Sequence, residues 1–164
     1  MNLIIRHSKK EDVATILKIY DKAKEFMRKS GNPNQWNRLY PYEELILDDI
    51  QKNASYVVCD ENGEVHATFA FFLGEDPTYN VIKDGEWLNN EPYGAIHRIA
   101  SDGVLRGVLE TAVAFCKQYT NNLRIDTHHD NKVMQHLLEK NGFTRCGIIF
   151  IETGDERIAY HLAK

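Results

Sequence analysis

Apolar positions along this chain follow two kinds of pattern. Over residues 13–30 they return every three or four places, at Val13, Ile16, Leu17, Tyr20, Ala23 and Met27, which predicts a long amphipathic helix. Ser8 and Glu11 stand at capping-box spacing ahead of it, and residues 3–6 read as a short opening strand. The stretch G-N-P-N-Q-W-N-R-L-Y-P at 31–41 is dense in turn formers and interrupts the pattern. A second helix follows over 42–52, with Leu45, Ile46 and Ile50 inward. Residues 55–60 and 65–73 then read as two strands joined by a tight Glu61-Asn62-Gly63 turn. A polar loop over 74–92 carries Tyr79 and Trp87. Strand 96–100, helix 104–119 and strand 123–127 make a β-α-β unit, expected to be right-handed with parallel strands. Helix 132–140 stops at Asn141-Gly142, and strands 143–151 and 156–162 close the chain as a hairpin.

This order, β-α-α-β-β-β-α-β-α-β-β, predicts the α/β (α+β) class: a strongly twisted, mixed sheet of seven strands with about four helices on both faces. At 164 residues the chain is expected to form one domain, 1–164, with a core of its own. A net charge of −4 speaks against nucleic acid as the main ligand. No apolar run reaches membrane-spanning length, and the opening M-N-L-I-I-R-H-S becomes charged too soon for a signal peptide. Cys59, Cys116 and Cys146 are odd in number and lack a C-x-x-C pair, so neither a disulfide framework nor a zinc knuckle is expected. Reduced thiols in a cytoplasmic protein with no membrane partner are the plain reading. A homodimer is the common symmetric outcome for such a chain.

The chemistry concentrates between His97 and Phe143. Strand 96–101 runs into the glycine-bearing turn D-G-V-L-R-G (102–107) and then a helix. Such a turn presents unpaired N–H groups and the positive end of the helix dipole, an arrangement that suits phosphate. General-base candidates by residue type are His97, Asp126, His128 and Glu75. Strand alternation places His97 on the face of Ile99, and Arg124, Asp126 and His128 together on one face of the next strand. Asp126 also fits an ion pair with Arg98 or His97. Adjacent His128 and His129 on a strand would point to opposite faces, so no metal site with Asp130 is expected. Trp36, Tyr40, Tyr79 and Trp87, in the two polar loops, are candidates to wall a pocket for a cationic amine; the alternative is that they plug the sheet edge. Val104, Val108, Thr111, Ala112 and Phe115 form a stripe expected to pack in the core.

The order of these pieces, and the ending L-L-E-K-N-G-F (137–143), resembles the cofactor-binding half of the GNAT superfamily of acyl-CoA-dependent N-acetyltransferases. The resemblance covers essentially the whole chain and is specific from His97 to Phe143. It implies acetyl-CoA as cosubstrate, no metal, and direct attack of a primary amine on the thioester. It places the acyl carbonyl near Ile99, Ala100 and Ser101, and the pyrophosphate on Leu105, Arg106, Gly107, Val108 and Leu109. Asn131 takes the position that faces the pantetheine arm; its plain reading is a helix cap. The acceptor is expected to be a small-molecule or peptide amine, and acidic loop residues Glu75, Asp76, Asp84, Glu86 and Glu91 incline towards a cationic one. Three positions depart from the family pattern. Val104 replaces an Arg or Gln, Leu109 a small residue, and Leu138 the tyrosine that protonates the departing thiolate. The departures motivate an alternative, a non-catalytic acyl-CoA-binding or regulatory module.

Overall fold

The computed structural model describes residues 2–163. Strand β1 (Ile4–His7) leads through a short 3-10 turn into helix α1 (Val13–Lys29), and α2 (Glu43–Gln51) follows. Next come β2 (Ser55–Cys59), β3 (Val65–Leu73), β4 (Gly94–Ser101), α3 (Val108–Cys116), β5 (Asn122–Thr127), α4 (Lys132–Lys140), β6 (Thr144–Phe150) and β7 (Glu156–Ala163). The strands form one seven-stranded sheet in the order β1-β2-β3-β4-β5-β7-β6. Among the described residues only β4 and β5 run parallel, joined by α3. This is the mixed sheet with four helices that the hydrophobic pattern predicts.

Period-two alternation sends one set of side chains to each face. On the first face Tyr56, Val58, Phe69, Phe71, Ile96, Leu123, Ile125, Ile158, Tyr160 and Leu162 meet Leu109, Ala112, Val113 and Cys116 of α3 and Leu138 of α4. Each fully buried large apolar side chain here contributes roughly 1.5–3 kcal/mol. On the second face, α1 and α2 cover only part of the sheet: Ile16, Ile19, Tyr20 and Ile46 pack on Val57, Cys59 and Ala100. Among the described residues no helix covers the rest of that face. The 74–93 loop does, laying Tyr79, Trp87 and Tyr93 over Ala95, Ile149 and Ala159.

Two local expectations give way to better hydrogen-bonding partners. Ser8 does not cap α1; it is buried and its hydroxyl accepts from Ser55 Oγ at 2.7 Å. The capping carboxylate is Asp12, which accepts from the Lys9 N–H at 2.7 Å while pairing with Arg6. Helix α3 starts at Val108 rather than 104, because Gly107 sits in the left-handed region at φ 70°. Val104 therefore leaves the expected core stripe and stands 60% exposed.

The 74–93 loop is pinned at defined points. Lys83 and Ile148 exchange two backbone hydrogen bonds of 2.9 Å. Beyond them Gly85 crosses β6 so closely that a Cβ would stand 1.8 Å from the Cys146 carbonyl oxygen. His161, fully buried on β7, accepts the Leu88 N–H through Nδ1, and its Nε2 contacts Asn122 Oδ1 at 2.6 Å. Burial, then the nearby Arg124 charge, hold this imidazole neutral, with its pKa lowered to about 4.

Gly85→Ala should therefore lift the loop from the sheet. The clash is with backbone, which cannot swing aside, so a loss of roughly 2–4 kcal/mol is expected. In thermal unfolding that is a drop of about 5–12 °C. A midpoint within a degree of the wild type would show that the loop is not held there.

Candidate active site

Strands β4 and β5 pair at only two positions, Gly94↔Leu123 and Ala95↔Arg124. Beyond these, β4 stays with β3 to Ser101 and β5 stays with β7 to Thr127, so the facing edges part into a wedge. A bulge sharpens the divergence. Thr68 pairs with Ala100 and Ala70 with His97, so three steps of β4 match two of β3. The extra residue is Arg98, at φ 55°. The bulge overturns the expected alternation. Ile96 and Ile99 both face the α3 core. His97 and Arg98 both emerge on the other face, where Phe72 lies 6.0 Å from the His97 ring and 5.9 Å from the Arg98 guanidinium.

Polar side chains from strands, helices and both long loops gather on that face. His97 Nε2 lies 2.7 Å from Asp76 Oδ2. A carboxylate only accepts, so Nε2 carries the proton and the Nδ1 lone pair is left to take another. Burial pushes the Asp76 carboxyl upward, but His97 and the Thr78 N–H and hydroxyl outweigh it and bring it to about 2. Asp126 pairs with neither Arg98 nor His97; it accepts from the buried Tyr79 hydroxyl at 2.7 Å. Burial and the Asp126 charge push the Tyr79 pKa upward, which keeps it a donor. Arg98 forms its ion pair with Asp49 of α2 at 2.6 Å and reaches the Tyr40 hydroxyl at 3.4 Å. Arg157, buried on β7, donates to the Gln35 carbonyl at 2.6 Å. The Gln35 side chain in turn accepts from Asn131 Nδ2 at 2.9 Å, which ties the 31–41 loop across the mouth of the wedge.

The loop from Ser101 to α3 borders the wedge on the other side. Gly103 and Gly107 adopt positive φ of 88° and 70°. The Gly103 and Val104 N–H groups are bonded to Ser101 Oγ and Asp102 Oδ1. Those of Arg106, Gly107, Val108 and Leu109 have no acceptor among the described residues, so this turn opens four donors at the positive end of α3. Leu105 and Leu109 point into the core, 7% and 5% exposed, and leave the backbone uncovered. Arg106 and Gly107 are exposed beside a cavity of about 720 Å³ lined also by Asn2, Leu3, Val104, Glu110 and Thr111. Ile99 and Ser101 are half-buried, Ala100 is buried, and Val108 is half-buried at the helix start. Asn131 is the cap of α4, accepting from the Met134 N–H at 3.0 Å. Leu138 is fully buried in the core.

The remaining candidates scatter. Trp36 is half-buried and lines a cavity of about 500 Å³ between α1 and the 31–41 loop. Tyr79 and Trp87, at 1% and 8% exposure, plug the sheet face rather than stand open to a pocket. Glu75, Asp84, Glu86 and Glu91 are exposed. His128 is buried and accepts the Asp130 N–H through Nδ1; burial first, then the Arg157 charge, lower its pKa. Strand β5 ends at Thr127, so His128 and His129 do not alternate; their rings stack at 4.3 Å, and with Asp130 they place three donor atoms within 4.8 Å.

No family model and no curated protein sequence matches this chain. Solved structures do. An acetyltransferase of the GNAT family from Streptococcus agalactiae superposes with a TM-score of 0.88 at 29% identity, over 99% of this chain and 95% of that one. Over its whole length the chain is similar to the GNAT superfamily of acetyltransferases. An N-acetyltransferase from Staphylococcus aureus (TM-score 0.63, 21% identity, 99% of each chain) has the same fold. So has a GNAT-family acetyltransferase from Bacillus cereus (TM-score 0.63, 16% identity, 100% of this chain and 99% of that one). Among the described residues, no helix is long and apolar enough to cross a membrane.

The sequence pattern marked Asp76 only as one of the acidic loop residues, not as the partner of His97, and it did not single out Gln35, Asp49 or Arg157. Asp76 had a local signal: in D-P-T-Y it caps the 3-10 turn Pro77–Tyr79 by accepting the Thr78 N–H. Gln35, Asp49 and Arg157 had none, because only the packing of three distant segments brings them together. Asp76→Asn tests the His97 contact. A carboxyl lowered from 3.8 to about 2 adds stability that is complete above 3.8 and lost as pH falls through 2. In acid titration of urea stability the wild type should lose about 2 kcal/mol over that window. The Asn variant should show no such loss; parallel curves would mean that the pair is not formed.

Proposed function

We propose that this GNAT-like protein transfers an acetyl group from acetyl-CoA to a primary amine by direct attack of the amine on the thioester. The observation that carries the reading is the wedge between β4 and β5. It has free main-chain donors and a glycine turn on one side, and a His97–Asp76 pair on the other. The Arg106 to Leu109 amides and the α3 dipole suit the pyrophosphate. The pantetheine arm would lie along the unpaired edge of β4, with the acyl carbonyl near Ile99. His97 Nδ1 takes the proton that the nitrogen sheds on forming the amide bond, and Asp76 holds the ring in the required tautomer. Asp126, committed to Tyr79, is less free to serve. Three buried, unpaired cysteines suit a reducing, cytoplasmic setting.

The buried side chain of Leu109 answers one ground for a non-catalytic module, since only the loop backbone needs to face the phosphates. Val104 and Leu138 keep that second reading alive, and release of free coenzyme A with a panel of amines separates the two.

Acetyl-CoA and free CoA, but not ATP, should raise the unfolding midpoint. At one hundred times the dissociation constant the gain is about 2.7 kcal/mol, several degrees for a chain of this size. No shift with any of them would remove the cofactor site. In Gly107→Val the added Cβ would have only Glu110 Oε1 within 4 Å, at 3.6 Å, so the cost to the fold is mainly the left-handed φ, about 1–2 kcal/mol. Its affinity for acetyl-CoA should fall at least about tenfold, because the branch stands where the backbone must approach phosphate. His97→Gln should lower kcat by roughly 10²–10⁴ with little change in acetyl-CoA affinity. An unchanged kcat would pass the role of base to another group.

A further inference from the structure

The loop proposed to hold the pyrophosphate begins with a negative charge. Asp102 lies between Ser101 at the end of β4 and Gly103, within the turn whose amides face the anion. An uncompensated carboxylate there would repel the ligand that the rest of the loop attracts. Its compensation is His66, at the start of β3. The Asp102 N–H donates to the His66 carbonyl at 2.9 Å, and the His66 Nδ1 meets Asp102 Oδ2 at 2.7 Å. On the far side of the ring, Nε2 faces Asp60 Oδ2 at 3.3 Å. Both ring nitrogens thus face carboxylates, which only accept, and both contacts are satisfied together only by the imidazolium. The other oxygen of Asp102 accepts the Val104 N–H at 3.0 Å, so the same carboxylate shapes the turn that leads to Gly107.

The charges around His66 are all acidic. Asp60 and Glu64 face it from the β2–β3 turn and Asp102 from the loop; a carboxylate oxygen of Asp60, one of Glu64 and a ring nitrogen of His66 lie within 4.8 Å of one another. The His66 and Asp102 side chains are only 14% and 11% exposed, so solvent screens the pair weakly. The hydrogen bond from Asp102 outweighs burial and raises the His66 pKa above its ordinary 6.5.

We propose that His66 is a positioning residue for the cofactor: as an imidazolium it cancels the Asp102 charge and holds the 101–107 turn, so acetyl-CoA affinity depends on its proton. The inference rests on the acetyl-CoA reading above. Its sign follows from the chemistry. Below the raised pKa the imidazolium offsets the Asp102 charge and binding is full. As pH rises through that value His66 loses its charge, the carboxylate stands uncompensated, and affinity falls.

Calorimetric titration of acetyl-CoA from pH 6 to 9 at fixed ionic strength, for wild type, His66→Gln and Asp102→Asn, tests it. Ratios to wild type at each pH cancel the ionisation of the ligand itself. The wild-type Kd should rise roughly three- to tenfold, the size of one added like charge at partly screened range. The rise should track the His66 ring proton shifts in an NMR titration. His66→Gln should bind weakly throughout and lose this dependence. Asp102→Asn should bind tightly throughout, because an amide keeps the Oδ1 acceptor for Val104 and sheds the charge. A His66→Gln protein that keeps the wild-type profile would overturn the proposal, and so would an Asp102→Asn protein that weakens with pH as the wild type does. If His66→Gln fails to fold, the Asn variant decides alone. Binding by none of the three would instead sink the acetyl-CoA reading, and this inference with it.

Discussion

The site depends on a parallel strand pair that is allowed to fail. A β4–β5 ladder continued to Ser101 would satisfy every backbone group along both edges and leave no gap. It stops after Ala95↔Arg124, and the two ends of β4 explain why. At the closed end stands Gly94, where a Cβ would come within 2.5 Å of Phe71 Cε1 on β3 and 3.1 Å of Thr120 Cγ2 just before β5, so glycine leaves room for the side chains on either side. At the open end the extra residue at Arg98 bends the strand away and increases its twist. The same bulge delivers His97 and Arg98 to one face. One irregularity therefore opens the wedge and places a titratable side chain beside it.

A sheet face that must carry polar groups cannot be covered by an ordinary apolar helix, and here half of one face is covered by loop instead. Arg124 is the clearest case. It is 4% exposed and its Nε has no acceptor, yet its guanidinium lies 4.1 Å from the Trp87 ring centre and 3.9 Å from that of Tyr93. The two π faces supply attraction where no carboxylate stands. Burial still lowers its pKa, the cost of an ion so enclosed. Trp87 is held by its own N–H to the Tyr79 carbonyl at 2.9 Å, and Tyr79 by its hydroxyl to Asp126. The aromatics that plug the sheet are therefore the same ones that fix Asp126 and, through the Asp76 turn, His97.

Much of this was legible in the residue pattern, and the rest was hidden for identifiable reasons. Element order followed because α1 and α4 present a clean helical period, while β2 and β3 are apolar runs separated by the Glu61-Asn62-Gly63 turn. Helix 132–140 was exact because Asn131 and Asn141-Gly142 mark both ends chemically. The start of α3 was misplaced because the apolar Val104 and Leu105 continue a helical stripe that the left-handed Gly107 cuts. The facing of His97 was misjudged because a bulge adds one residue and reverses every parity argument beyond it. Nothing local could reveal Arg157 with Gln35, which lie 122 residues apart and meet only when β7 and the 31–41 loop are both in place. His66 with Asp102, 36 apart, waits likewise on the β3–β4 register.

The absence of a tyrosine at position 138 then takes on a definite chemical meaning. Leu138 is wholly enclosed on α4, so its side chain supplies packing and no hydroxyl approaches from that helix. The Tyr20 and Tyr79 hydroxyls on this face are already donating, Tyr20 to the Arg98 carbonyl at 2.8 Å and Tyr79 to Asp126. Lending either of these two protons to a leaving group would break a buried hydrogen bond and strand its acceptor, at a cost of about 1–3 kcal/mol. The Tyr40 hydroxyl, by contrast, only accepts, from Arg98 Nη1 at 3.4 Å, and is held by burial with its pKa raised. A thiol with a pKa near 8.5 departs as thiolate with little penalty close to neutrality. In the proposed reaction the demanding proton is therefore the one removed from the amine, and the built machinery, His97 on Asp76, is on that side of the wedge. Water can meet the thiolate at the open side, where no side chain is needed.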